Sequence, residues 1–218
     1  RSTEDVGNIV LLEHVNLTQP DQRPTTLFYI FALGGTRDPY LMVGLDNMWI
    51  NYGRNQLHMP SRDPQPQLLR GTMGFVVPDL AALNGRLARI APRLAGTKFA
   101  WRDCGTHVEA TCPWGNRVRC HAPAPEFGET ELALAYVEFD VPNGTAAGIA
   151  RFYTEILGAP ATLEKRSARV PIGRRGFFRT VREALGARPD HARSRRPRVA
   201  LSQDCRSAGR RRSVRDRA

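Results

Sequence analysis

A short strand-like run, followed at a fixed offset by proline and then Asp or Asn, occurs three times in this chain. A tandem repeat of that kind constrains the fold more than any single motif. His14-Val-Asn-Leu-Thr-Gln-Pro-Asp21 aligns with Thr72-Met-Gly-Phe-Val-Val-Pro-Asp79 and with Tyr136-Val-Glu-Phe-Asp-Val-Pro-Asn143, the copies being 58 and then 64 residues apart. Each copy leads into a helical pattern, so the 218 residues read as two similar modules and the opening of a third.

Residues 9–17 alternate as a half-buried strand should, with Val10, Leu12, His14 and Asn16 on one side and Leu11, Glu13, Val15 and Leu17 on the other. A helix over Thr25–Leu33 follows, capped by Asp21 or a threonine after Pro24 and closed by Gly34-Gly35. Tyr40–Gly44, Asn47–Tyr52 and Asn55–Met59 are then expected as three strands. Module two repeats the order: a strand over Arg70–Val77, a helix after Pro78-Asp79 with Leu80, Leu83, Leu87, Ile90 and Leu94 as its buried stripe, and strands over Lys98–Arg102, His107–Cys112 and Arg117–His121. Module three starts with a strand over Leu132–Val141 and a helix over Ala146–Leu157. The expected fold class is α+β. Module one spans 9–61, module two 68–123, an incomplete third module 130–165, and an Arg-rich tail 166–218.

The net charge of +11 points to a polyanionic partner only until it is mapped. From Arg166 onward there are 17 Arg against 4 acidic residues, whereas residues 1–165 hold 15 basic and 17 acidic side chains. Any nucleic-acid partner is therefore expected through the tail alone, and that tail reads either as a basic disordered arm or as an out-of-frame stretch of an Arg-rich, GC-rich gene. No run approaches the roughly 18–20 apolar residues of a membrane span, and Arg1-Ser-Thr-Glu-Asp lacks a signal peptide's apolar segment. A cytoplasmic protein without a membrane partner is the expectation. Cys104, Cys112, Cys120 and Cys205 make no CxxC pair, so thiols are expected rather than disulfides, with Cys112 and Cys120 as the one pair that could face across strands.

The repeat, together with Cys112-Pro-Trp-Gly-Asn-Arg-Val-Arg-Cys120 and the helix end Phe152-Tyr153-x-x-x-Leu157-Gly158, echoed by Phe28-Tyr29 and Leu33-Gly34, resembles the vicinal oxygen chelate superfamily, which includes glyoxalase, bleomycin-resistance and extradiol dioxygenase proteins. The frequent module ending of that superfamily is Asp-Pro-x-Gly-Asn-x-φ-Glu-φ, with φ apolar. Here Cys112 stands for the Asp and Arg119 for the Glu. The resemblance implies tandem βαβββ modules pairing into an open half-barrel, with a small molecule bound in a cup between modules one and two.

The ligand positions carried over are His14 and Gln56 from module one and Thr72 and Arg119 from module two. Arg119, a permanent cation, opposes a metal there, while His58 and His121 lie two positions beyond Gln56 and Arg119 and so on the same faces. The resemblance therefore implies a divalent metal (Fe, Mn, Ni or Zn) held by His14, Gln56 and His58, or none. His14 and His58 are the candidate catalytic residues. Arg119, Trp49, Thr72 and His121 are the candidate substrate contacts, with Arg119 either clamping an acid or pairing with Glu109 or Glu138. Trp49, Trp101 and Trp114 could line an apolar pocket. Two functions stay open: a metal-dependent lyase, isomerase or dioxygenase, and a metal-free, resistance-type binding protein. A homodimer is expected in either case.

Overall fold

The computed structural model describes residues 9, 11–41, 46–172, 176–179 and 182–183. Module one comprises β1 (His14–Asn16), α1 (Gln22–Thr26) running into a wider π-helical turn over Leu27–Ala32, β2 (Thr36–Arg37), β3 (Asn47–Tyr52) and β4 (Asn55–Pro60). Asp21 caps α1 by accepting from the backbone N–H of Arg23. Gly34, at a φ of +89°, supplies the left-handed turn that ends the helix.

Module two comprises β5 (Gly71–Val76), α2 (Leu80–Ile90), β6 (Ala100–Asp103), β7 (His107–Thr111) and β8 (Arg117–His121). The Asp79 carboxylate accepts from the N–H groups of Ala81 and Ala82, two donors that the first helical turn otherwise leaves unpaired. Leu83, Leu87 and Ile90 form the buried stripe of α2. Module three comprises β9 (Ala133–Val141), α3 (Ala146–Glu155), β10 (Thr162–Glu164), β11 (Ser167–Ile172) and β12 (Gly176–Arg179), followed by β13 (Arg182–Glu183).

The strand order repeats in all three modules: β1-β4-β3-β2, β5-β8-β7-β6 and β9-β12-β11-β10. In each, the first strand lies parallel to the last, as a helical crossover requires. The third module thus runs further than its sequence pattern suggests. Ala168, Val170 and Ile172 of β11 are buried, so the strand lies inside the segment read as tail. The remainder of that tail, with its expected partner, lies outside the described residues.

One further expectation needs correction. A strand at Thr36–Arg37 precedes β3, and Tyr40 and Leu41, the described part of the strand expected over Tyr40–Gly44, lie in a turn. Pro39 has no N–H for a ladder, and Asp38 Oδ1 accepts from Tyr40 and Leu41 N–H to make a turn instead. Residues 42–45 lie outside the described residues. Cys104, Cys112 and Cys120 are thiols, as expected, although Cys112 and Cys120 do not face each other, since Cys120 lies opposite Val108.

Modules one and two do not join their sheets. β5 pairs antiparallel with β9, so modules two and three form one open sheet, and module one keeps a sheet of its own. The physical reason is legible in the strands. β1 is three residues long with His14 and Asn16 exposed, whereas all of β5 and the first five residues of β9 are buried. Modules one and two instead share a core. Met48, Ile50, Tyr52, Leu57 and Met59 of the first sheet, Phe28, Tyr29, Leu83 and Leu87 of the helices, and Met73, Phe75, Val108, Val118 and Cys120 of the second sheet are one buried cluster. The Tyr52 and Phe75 rings meet at 4.8 Å. Arg86 Nε donates to the Ala32 carbonyl at 2.7 Å, and Trp114 Nε1 donates to Thr25 Oγ1 at 2.9 Å. Because strand side chains alternate, the polar residues of both sheets are left on the faces turned away from this core.

Candidate functional site

The polar face of the joined sheet is organised in rows across the strands. Arg102 of β6 lies opposite Glu109 of β7, Glu109 opposite Arg119 of β8, Arg119 level with Gly74 of β5, and Gly74 opposite Tyr136 of β9. The neighbouring row holds His107, His121 and Val76, and the row on the other side holds Thr111, Arg117, Thr72 and Glu138. Gly74 is the hinge of this arrangement. A β-carbon there would lie 2.1 Å from Tyr136 Cε1, so the missing side chain is the space that the buried Tyr136 ring occupies.

Ion pairs and hydrogen bonds knit the rows together. Arg102 donates to Glu109 Oε2 at 2.7 Å, and Arg119 reaches Glu109 Oε1 at 3.4 Å. His121 Nε2 is 2.9 Å from the Tyr136 hydroxyl, and the His107 and His121 rings stack with centroids 5.7 Å apart. Phe127 packs against His121 at 4.9 Å. Burial works against the charge of Glu109, but the hydrogen bond from Arg102 and the charges of Arg119, Arg102 and His107 outweigh it and hold the carboxyl below its ordinary value. Burial likewise opposes the Arg119 cation, yet Tyr136, Glu138 and Glu109 more than compensate. Arg119 keeps its Nε buried with no hydrogen-bond partner, a donor directed at nothing in the protein.

The polar face of module one gathers a different set. His14 lies opposite Gln56 and Asn16 opposite His58, while Trp49 lies opposite His58 on the other side. Trp49 stacks on His58 at 4.1 Å and meets the His14 ring edge-on at 5.1 Å, and the two histidine rings are 6.4 Å apart. Their polar atoms already have partners. His14 Nδ1 contacts the Glu13 carboxylate, His58 Nε2 lies 2.6 Å from Asn47 Oδ1, and Gln56 Nε2 donates to Asn51 at 2.7 Å and to Asp38 at 3.0 Å. Burial, then the His14 ring and Arg62, lower His58 from its ordinary value, which favours a neutral imidazole. A metal does not fit this set as it stands, since the rings are spread around Trp49 and the Gln56 amide is turned to Asp38 and Asn51.

The structure therefore separates the residues expected to share one cup. His14, Trp49, Gln56 and His58 lie together on module one. Thr72, Arg119 and His121 lie together on the sheet of modules two and three, with Thr72 one row away from Arg119 beside Arg117 and Glu138. The parallel register sets Gly74 level with Arg119 as His14 is level with Gln56, a displacement of two residues that preserves the face. Trp101 packs on Phe99 and Trp114 bonds Thr25, both against the buried core, whereas Trp49 lies with the histidines of module one. The sequence reading missed Tyr136 as the partner of His121, and it missed His107 and Arg102 altogether. The signal for them is the register of two adjacent hairpins, with Glu109 between two arginines.

No protein-family model and no curated protein matches this sequence. Among solved structures, glyoxalase I from Zea mays superposes with a TM-score of 0.56 at 15% identity, over 77% of this chain and 65% of that one. A candidate dioxygenase from Bacillus subtilis superposes with a TM-score of 0.53 at 14% identity, over 77% of this chain and 62% of that one. This chain has the vicinal oxygen chelate fold. It spans a little under two thirds of each of these neighbours, and at such identities the likeness concerns the fold. Within this three-module fold, the joined sheet is the one built by modules two and three. No helix among the described residues is long and apolar enough to cross a membrane.

Proposed function

We propose that this chain binds a small acidic molecule on the polar face of the sheet shared by modules two and three, without requiring a metal. The observation that carries this reading is the row Arg102, Glu109, Arg119, Gly74 and Tyr136. It presents a fixed cation whose Nε is unpartnered, beside a His121–Tyr136 pair that can hold or deliver a proton. Glu109 takes part of the charge of both arginines, which keeps the guanidinium of Arg119 oriented while leaving it donors to offer. Thr72 and His121 border the same face, whereas Trp49 belongs to the other.

The test is calorimetric titration of the full chain with inorganic phosphate and with succinate. Arg119→Glu should weaken binding at least tenfold, given about 1.5–3 kcal/mol for a hydrogen bond to a charged group, and Arg119→Gln should weaken it less. Unchanged affinity in both variants refutes the reading.

A second reading keeps enzymatic work on module one, where His14 and His58 share one aromatic stack with Trp49. There His58, whose proton is held less tightly than usual, would be the general base of a lyase or isomerase. An activity lost in His58→Gln and kept in Arg119→Gln supports that reading, and an activity that survives His58→Gln removes it. The homodimer belongs to this reading as well. β1 ends its sheet with one edge unpaired among the described residues, and such an edge invites a second strand. Size-exclusion chromatography with light scattering reports the mass directly.

A further inference from the structure

We propose that Cys104, His107 and Glu109 form a binding site for a borderline-soft divalent cation such as Zn2+, at the end of the β6–β7 hairpin. This goes beyond the binding of a small acid, and its test is independent of that reading. The hairpin turn sets the three residues. Gly105 takes a φ of +81°, the Cys104 N–H donates to the His107 carbonyl at 2.9 Å, and the Gly105 N–H donates to Asp103 Oδ1 at 2.8 Å. Cys104 is thereby folded back over the start of β7, where His107 and Glu109 are two residues apart and so share a face.

The donor atoms of the three side chains lie within 4.8 Å of one another. His107 Nε2 and Glu109 Oε1 are 3.6 Å apart. Zinc–ligand bonds of about 2.0–2.3 Å in a tetrahedron place neighbouring donors roughly 3.3–3.8 Å apart. The His107–Glu109 separation already matches that spacing, and small rotations of the side chains close the rest.

The surroundings favour the same assignment. His107 Nδ1 lies 3.1 Å from Thr106 Oγ1 and the ring is stacked on His121, so its plane is held while Nε2 faces the carboxylate. An outer partner of this kind is what orients a ligating imidazole. Glu109 divides its two oxygens: Oε2 is held by Arg102 at 2.7 Å, and Oε1 is the one turned toward His107. The two arginines beside Glu109 oppose a dication, which sets the selectivity. The site needs the thiolate, so Zn2+, Co2+ and Cd2+ should bind and Mg2+ and Ca2+ should not. Binding releases the Cys104 thiol proton to solvent and forms the sulfur–metal bond in its place. Three protein donors leave a fourth position for water or a ligand oxygen.

The sequence holds this site as Cys104-x-x-His107-x-Glu109. It has neither a CxxC nor a paired zinc spacing, and its compactness comes from the hairpin.

The experiment is titration of the full, chelator-treated chain with Co2+, read by visible and near-ultraviolet absorption. One Co2+ per chain with a thiolate-to-cobalt charge-transfer band is expected, displaced by Zn2+ and not by Mg2+. Cys104→Ser should abolish the band and weaken Co2+ binding at least tenfold, with the far-ultraviolet circular dichroism unchanged. His107→Gln should weaken binding by a similar factor while leaving a residual band. A wild-type chain that binds no Co2+ overturns the proposal. So does a band that survives in Cys104→Ser, or metal uptake lost in His14→Ala and retained in Cys104→Ser.

Discussion

Replacing Gly74 by alanine puts a β-carbon where the Tyr136 ring lies. The new carbon would sit 2.1, 2.2 and 2.4 Å from Cε1, Cζ and Cδ1 of that ring, far inside van der Waals contact. The ring cannot step aside into solvent, since Tyr136 is only 1% exposed and its hydroxyl is tied to His121. Overpacking of this kind costs about 1–3 kcal/mol, and a displaced ring also loses the hydrogen bond to His121, about 0.5–1.5 kcal/mol. Gly74→Ala should therefore destabilise by roughly 2–4 kcal/mol, read as a lowered urea midpoint at an unchanged slope. The double-mutant cycle with Tyr136→Ala isolates the cause. With the ring removed, Gly74→Ala should cost less than about 0.5 kcal/mol and should tend to stabilise, because alanine restricts the unfolded chain. A Gly74→Ala cost that is the same with and without the ring refutes the account of how β5 and β9 meet.

Two further expectations concern local features. Asp79→Ala leaves the N–H groups of Ala81 and Ala82 without their acceptor and should cost about 1 kcal/mol, whereas Asp79→Asn, which keeps a capping oxygen, should cost a few tenths; equal losses in both would remove the capping argument. His58 binds its proton less tightly in the folded chain than in the unfolded one. Its contribution to stability is therefore present above the ordinary imidazole pKa and is lost as pH falls through that value toward the depressed folded one; a nuclear magnetic resonance titration placing His58 at or above the ordinary imidazole value contradicts this.

The repeat was readable because each copy carries its own local physics. Period-two strands, a Pro-Asp or Pro-Asn helix start and Gly or Asn turns recur in each module, and Asp79 caps its helix as those signals imply. What the sequence could not convey was the choice of partners between modules. Strand pairing across modules depends on which edges are long, apolar and able to interlock, and Gly74 shows its role only when Tyr136 is seen lying over it. The expectation that His14 and Arg119 share a cup failed for that reason, since the two lie on separate sheets. β11 escaped notice because Ser167-Ala-Arg-Val-Pro-Ile172 alternates Arg and Pro with its apolar residues, and a proline inside a strand argues against one. The convergence of Cys104, His107 and Glu109 is a property of the hairpin and has no signature in the sequence beyond their order.

The central claim is that ligand binding belongs to the face of modules two and three. Nuclear magnetic resonance observation of the histidine side chains during titration with a small acid tests it directly, because the two faces carry separate histidines. His107 and His121 should shift with the ligand while His14 and His58 do not. Shifts confined to His14 and His58 would contradict it.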